Sequence, residues 1–191
     1  MAKERYSKNE FLYARPIASA LLTDASFREW FLMGTKCGAM AREARPLAEL
    51  QASLRTTPSA KKWFWFNVFC PKDRRCACRG EEGIETDILL LFKAPDNSRF
   101  AVHVEVKPPN EDFLPDQAES YPRRAACWAN TATRPRTVVA HGSFTTILVC
   151  GENLSSDARR LNFDQTHFHQ DIEKRLSPYP DPVDFRTLLA G

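Results

Sequence analysis

Residues 85–107 read ETDILLLFKAPDNSRFAVHVEVK, two apolar runs separated by Pro95-Asp96-Asn97-Ser98. Proline presets one dihedral of a turn, and Asp, Asn and Ser bond their own backbone there. The runs are therefore expected to fold back as an antiparallel hairpin of residues 85–92 and 99–106. Leu89, Leu90 and Leu91, with Val102, Val104 and Val106, make both strands read as covered. The chain nevertheless sets Glu85 and Asp87 into the first run and Glu105 and Lys107 at the end of the second. Ionised groups at the edge of an apolar core cost several kcal/mol unless a counter-charge or a metal ion compensates them.

Side chains alternate along a strand, so Glu85 and Asp87 share one face, as do Glu105 and Lys107. Pairing through the turn can bring Asp87 beside Glu105. Two adjacent carboxylates repel unless a cation sits between them, and oxygen ligands select hard ions such as Mg²⁺ or Mn²⁺. A lysine alongside can orient the attacking water and steady charge building on a phosphate. The chemistry such a set can perform is metal-assisted hydrolysis of a phosphodiester. The competing arrangement is an amphipathic hairpin whose Glu105 and Lys107 form a surface ion pair, worth under about 1 kcal/mol.

Apolar periodicity predicts two short helices within 18–33, broken at Thr23-Asp24 with Asp24 or Ser26 as cap, and another over 40–54 despite Pro46. The aromatic run 61–69 reads as a strand, 116–130 as a helix kinked or restarted at Pro122, and 144–150 as a covered strand. Residues 163–176 read as a closing helix, stopped by Pro178, Pro180 and Pro182. The order is that of an α/β or α+β protein with a mixed sheet and helices on its faces.

At 191 residues, 43% hydrophobic and 27% charged, the chain suits one domain, in which a helical part (1–58) precedes the strand-bearing core that carries the carboxylates (60–150) and a C-terminal helix and tail (151–191). No apolar run is long enough to cross a bilayer, and the opening MAKERYSKNEF lacks a signal peptide's apolar segment, so a cytoplasmic location without membrane contact is expected. Net charge is only +3, but the cations cluster. Lys61 and Lys62, Arg74 and Arg75, and Arg123 and Arg124 can track a phosphate backbone, although each run alone also reads as a solvated face. Cys70, Cys76 and Cys78, with Cys37 as a fourth, could hold zinc or an iron–sulfur cluster. Without paired C-x-x-C knuckles, reduced loop thiols are the favoured reading. His167 and His169 would not share a helical face, and His103 among valines reads as structural.

Asp87, followed eighteen positions later by Glu105-Val106-Lys107, resembles the PD-(D/E)XK nuclease superfamily. The likeness is strongest to its RecB-like branch, in which an Asp opens one strand and E-V-K closes the next. The resemblance spans residues 60–150. It implies a restriction-endonuclease-like core: a central mixed sheet of four to five strands flanked by helices, here with an N-terminal helical extension. It implies a nuclease acting on DNA, in repair or restriction, by endonuclease or exonuclease action. Asp87 and Glu105 would hold Mg²⁺ or Mn²⁺, and Lys107 would position or deprotonate the attacking water. Thr86 stands where the motif's proline would be. The family's glutamate on the first core helix has Glu29 and Glu43 as candidates here, with Glu85 in support. Its Gln and Tyr four apart match Gln117 and Tyr121, a spacing that shares one helical face. Many such nucleases pair to cut both strands, so a homodimer is an expected assembly. The alternative is an inactive module of the same fold that grips nucleic acid or a protein partner, with Trp63-Phe64-Trp65-Phe66 stacking bases.

Overall fold

The structure, a computed structural model, describes residues 8–70 and 85–182. Strands β3 (Glu85–Lys93) and β4 (Arg99–Val106) pair antiparallel from Lys93↔Arg99 to Ile88↔Val104. Asn97 makes the reversal at φ 68°, a left-handed conformation that Asn tolerates, and the Asp96 carboxylate accepts from the Ser98 N–H and hydroxyl. β5 (Ser143–Cys150) joins β4 in parallel, and β6 (Gln165–Phe168) joins β5 in parallel. A parallel neighbour needs a crossover, and α5 (Gln117–Ala129) lies within the one between β4 and β5. On the other flank β1 (Arg45–Pro46) and β2 (Phe66–Phe69) both pair antiparallel with β3. The result is a six-stranded mixed sheet ordered β1-β3-β4-β5-β6, with β2 also on β3.

Period two sorts the apolar side chains onto two faces. Ile88, Leu90, Phe92, Val102 and Val104 lie in one core with Phe11, Ile17 and Leu21 of α1 (Lys8–Thr23) and Phe31 of α2 (Ala25–Leu32). Leu89, Leu91 and Ala101 face the opposite way, onto Trp128 of α5 and Val138 and Val139. Burial on both faces is why these strands read as near-continuous apolar runs. Asp24 separates the first two helices, its Oδ1 accepting from the Ser26 and Phe27 N–H groups. Among the described residues no helix is long and apolar enough to cross a membrane.

Helix α1 begins at Lys8, ten residues before the expected start at 18, and three further segments depart from the periodicity. Residues 40–54 are not one helix: they cross the edge of β3 as β1 before α3 (Ala48–Ser53). There the Leu47 N–H donates to the Leu91 carbonyl at 2.8 Å. The Gln51 amide donates to the Leu89 carbonyl at 3.1 Å and accepts from the Leu91 N–H at 2.8 Å, filling the gap between β1 and β2. Residues 61–69 open in helix, because Thr57 caps the Ala60 N–H and Pro58 starts α4 (Pro58–Lys62). Residues 163–176 begin as β6, which satisfies its backbone on β5, and only then form α6 (His169–Glu173). Helix α5 runs as one element through Pro122. The proline forfeits one hydrogen bond, while Tyr121, Ala125 and Trp128 are buried along the same helix.

Candidate metal centre

The antiparallel ladder stops at Ile88↔Val104, so Asp87 and Glu105 would be the next pair in register. At that step a side chain stands between the strands. The Tyr121 hydroxyl accepts from the Asp87 N–H at 3.4 Å and donates to the Val104 carbonyl at 3.3 Å. The Asp87 carboxylate takes the next strand donor, the Val106 N–H, on Oδ2 at 2.7 Å. The strands are thus parted where both carry a carboxylate, and the freed backbone groups remain bonded. Burial, followed by Asp87 and Glu105, pushes the Tyr121 phenol well above its ordinary range, which keeps the hydroxyl proton in place to donate.

Glu105 is held from two sides. Its Oε1 accepts from Lys107 Nζ at 2.9 Å and from Gln117 Nε2 at 2.7 Å. The orientation of the Gln117 amide is fixed in turn by its Oε1, which accepts from the Leu114 N–H at 3.0 Å. Glu105 and Lys107 are 1% and 3% exposed, so theirs is a buried ion pair and not a surface one. Glu105 Oε2 is buried with no hydrogen-bond partner among the described residues. Beside it, Glu10 from the first turn of α1 meets Glu85 and Asp87, with one oxygen of each within 4.8 Å of the others.

This crowding of acid shows in the protonation behaviour. Burial, then the Glu105 carboxylate, with Glu85 and Glu111 behind it, push Glu10 up to about 8 against the pull of Lys107. Burial, then Glu105 and Glu10, push Asp87 well above the carboxylate range, opposed by the Val106 N–H. Burial alone would lower Lys107, but Glu105, Asp87 and Glu10 raise it overall, so Nζ stays an ammonium. The donor set fits a hard divalent cation: all its groups are carboxylates, burial and the neighbouring acids raise Glu10 and Asp87, and one buried oxygen, Glu105 Oε2, has no hydrogen-bond partner among the described residues.

The remaining sequence candidates fall elsewhere. Glu29 pairs with Arg42 at 3.1 Å on the surface, and Glu43 is exposed near the hairpin tip with Arg45 and Lys93. Neither reaches the carboxylates, and the helix glutamate there is Glu10. Its sequence signal is phase, since Glu10, Ala14, Ile17 and Leu21 fall on one stripe of α1. Arg124 is fully buried and so is no part of a surface that meets DNA: its Nε donates to Thr86 Oγ1 at 2.9 Å, and its guanidinium lies 4.1 Å from the Tyr121 ring centroid. Arg123, Lys61 and Lys62 are exposed. Trp65 is buried, and it, Trp63 and Phe66 pack around the Phe11 ring, which spends most of the aromatic run on the core. Cys70 is half-buried at the end of β2, while Arg74, Arg75, Cys76 and Cys78 lie outside the described residues. In comparison with known proteins, no family model, no curated protein and no solved structure matches this chain.

Proposed function

We propose that this protein is a nuclease that hydrolyses phosphodiester bonds of DNA with the help of Mg²⁺ or Mn²⁺. The observation that carries the proposal is the approach of Glu10, Glu85 and Asp87 to within 4.8 Å of one another, with a buried Glu105–Lys107 pair whose Glu105 Oε2 has no hydrogen-bond partner among the described residues. The likeness of Asp87 and Glu105-Val106-Lys107 to the PD-(D/E)XK pattern supports it from the sequence.

The residues divide the work by what already occupies their atoms. Asp87 Oδ2 is committed to the Val106 N–H, which orients the carboxylate and leaves Oδ1 for the ion. Glu105 Oε1 is committed to Lys107 and Gln117, which leaves Oε2. Glu10 and Glu85 complete the oxygen set. When bound, the ion would supply a Lewis acid that acidifies water and polarises a phosphoryl oxygen. Lys107, protonated at Nζ and shielded from solvent, can donate to a phosphate oxygen as charge accumulates there. Lys61, Lys62 and Arg123 are exposed cations, a kind of group that pairs with nucleic-acid phosphates.

The test is a cleavage panel of single-stranded, duplex and branched DNA with Mg²⁺ or Mn²⁺. D87N, E105Q and K107A are each expected to reduce cleavage by about 100-fold or more without loss of folding. Cleavage retained by all three would exclude the proposal. If the wild type retards DNA on a gel without cutting it, and calorimetry finds no divalent site, a binding module of the same architecture is the better description.

A further inference from the structure

A continuous set of bonds ties the segment around Tyr179 to the centre. The Lys107 carbonyl can only accept, so it receives the Nε2–H of His169, at 2.8 Å. With that proton on Nε2, Nδ1 of the neutral ring is an acceptor, and it takes the Tyr179 hydroxyl at 2.6 Å. Tyr13 of α1 packs on both rings, its centroid 4.6 Å from that of His169 and 5.6 Å from that of Tyr179. Two residues further on, the Asp181 N–H donates to the Leu12 carbonyl at 2.9 Å, and the Asp181 carboxylate pairs with Arg15. The turns of α1 that follow Glu10 therefore grip the same segment that holds His169.

Lys107 needs such a hold because β4 ends just before it. Its N–H still reaches the Val149 carbonyl at 2.8 Å, but Pro108 and Pro109 follow and neither has an N–H to extend the ladder. Among the described residues no strand pairing continues past the Lys107 carbonyl, and His169 fills that place. With both backbone groups fixed, the side chain starts from one position, and Nζ lies on Glu105 Oε1.

We infer that His169 is a positioning residue for Lys107 and that Tyr179 sets its tautomer, which makes the segment around Tyr179 a working part of the centre. What Lys107 does rests on the proposed hydrolase; where it is held does not.

Reductive methylation of the protein without divalent cation, followed by peptide mapping, reads Lys107 directly, with exposed Lys61 as the internal reference. Wild type is expected to keep Lys107 protected. So is H169Q, whose amide N–H can reach the same carbonyl. H169L should methylate Lys107 about tenfold faster, the factor for one lost buried hydrogen bond. Y179F, which keeps the ring and loses the hydroxyl, should fall between them. In the cleavage assay H169L and Y179F should lower kcat with KM nearly unchanged, and H169Q should restore most of it. Equal protection of Lys107 in folded H169L and Y179F, or exposure in H169Q equal to that in H169L, overturns the inference. If H169L does not fold, Y179F against wild type decides. Absence of cleavage in every protein, wild type included, removes the hydrolase proposal, while the methylation pattern still decides the placement of Lys107.

Discussion

At Glu10, in the first turn of α1, burial and the Glu105 carboxylate raise the pKa from 4.5 to about 8. Without a divalent cation, the folded protein keeps a proton there that the unfolded chain has already lost at neutral pH. Between about pH 4.5 and 8 the folded state binds more protons at this group, so its contribution to stability declines as pH rises through that window. E10Q removes the charge and keeps the shape. It is expected to raise Tm at pH 8 in chelator by roughly 2–4 °C, the shift of about 1 kcal/mol in a domain of this size. It should also weaken Mn²⁺ binding in calorimetry at least about tenfold. An unchanged Tm with unchanged Mn²⁺ affinity would take Glu10 out of the centre. Strand alternation makes Asp87, Glu105 and Lys107 legible in the sequence, whereas Gln117 and Tyr121 are picked out by the family resemblance, their spacing adding only that they share a helical face. Glu10 is not legible, because apolar periodicity starts the first helix only at residue 18. Arg124 looks like its neighbour Arg123 in the sequence; only its phase with Tyr121 and Trp128 turns it inward.

Among the elements, β3 is the one on which the others depend, and its outer edge is fully used. β1 takes Phe92 and Lys93, Leu47 takes the Leu91 carbonyl, Gln51 takes the Leu91 N–H and the Leu89 carbonyl, and the Trp65 carbonyl takes the Leu89 N–H at 2.8 Å. A side-chain amide thus stands in for a stretch of strand and leaves no row of open donors to invite another chain. Replacing Gln51, which is 3% exposed, by Leu keeps the bulk and strands two buried backbone groups. Q51L is expected to lower the unfolding free energy by about 2–4 kcal/mol in urea titration. A loss under about 1 kcal/mol would mean that water or a shifted backbone replaces the amide. The hairpin could be read from the sequence because its turn, alternation and covering are local. The edge could not, since the Gln51 interaction joins positions 38 and 40 residues apart and leaves no periodic trace. For the same reason β6, which exists only through its pairing with β5, carries no strand signal of its own and reads as the start of a helix.

For the whole molecule, all four histidines, His103, His141, His167 and His169, are buried, and burial lowers the pKa of each, most strongly at His103. Neither ring nitrogen of His103 has a partner among the described residues. Below about pH 6.5 the unfolded chain takes up protons that the folded one refuses, and each neutral histidine then costs up to about 1.4 kcal/mol per pH unit. The crowded carboxylates act from the other side. Thermal melts in chelator should therefore show a narrow stability maximum near neutrality, with saturating Mn²⁺ raising the alkaline limb and leaving the acid limb in place. A broad plateau from pH 5 to 8 would contradict this. Assembly of the centre also has an order in time. The β3–β4 hairpin is contiguous and can close early, but Glu10 waits for β3, and the Lys107 carbonyl waits for a ring made 62 residues later. A ribosome releasing this chain exposes the acidic hairpin long before His169 and Tyr179 arrive to brace it, so a half-made molecule carries Asp87, Glu105 and Lys107 without the frame that holds them.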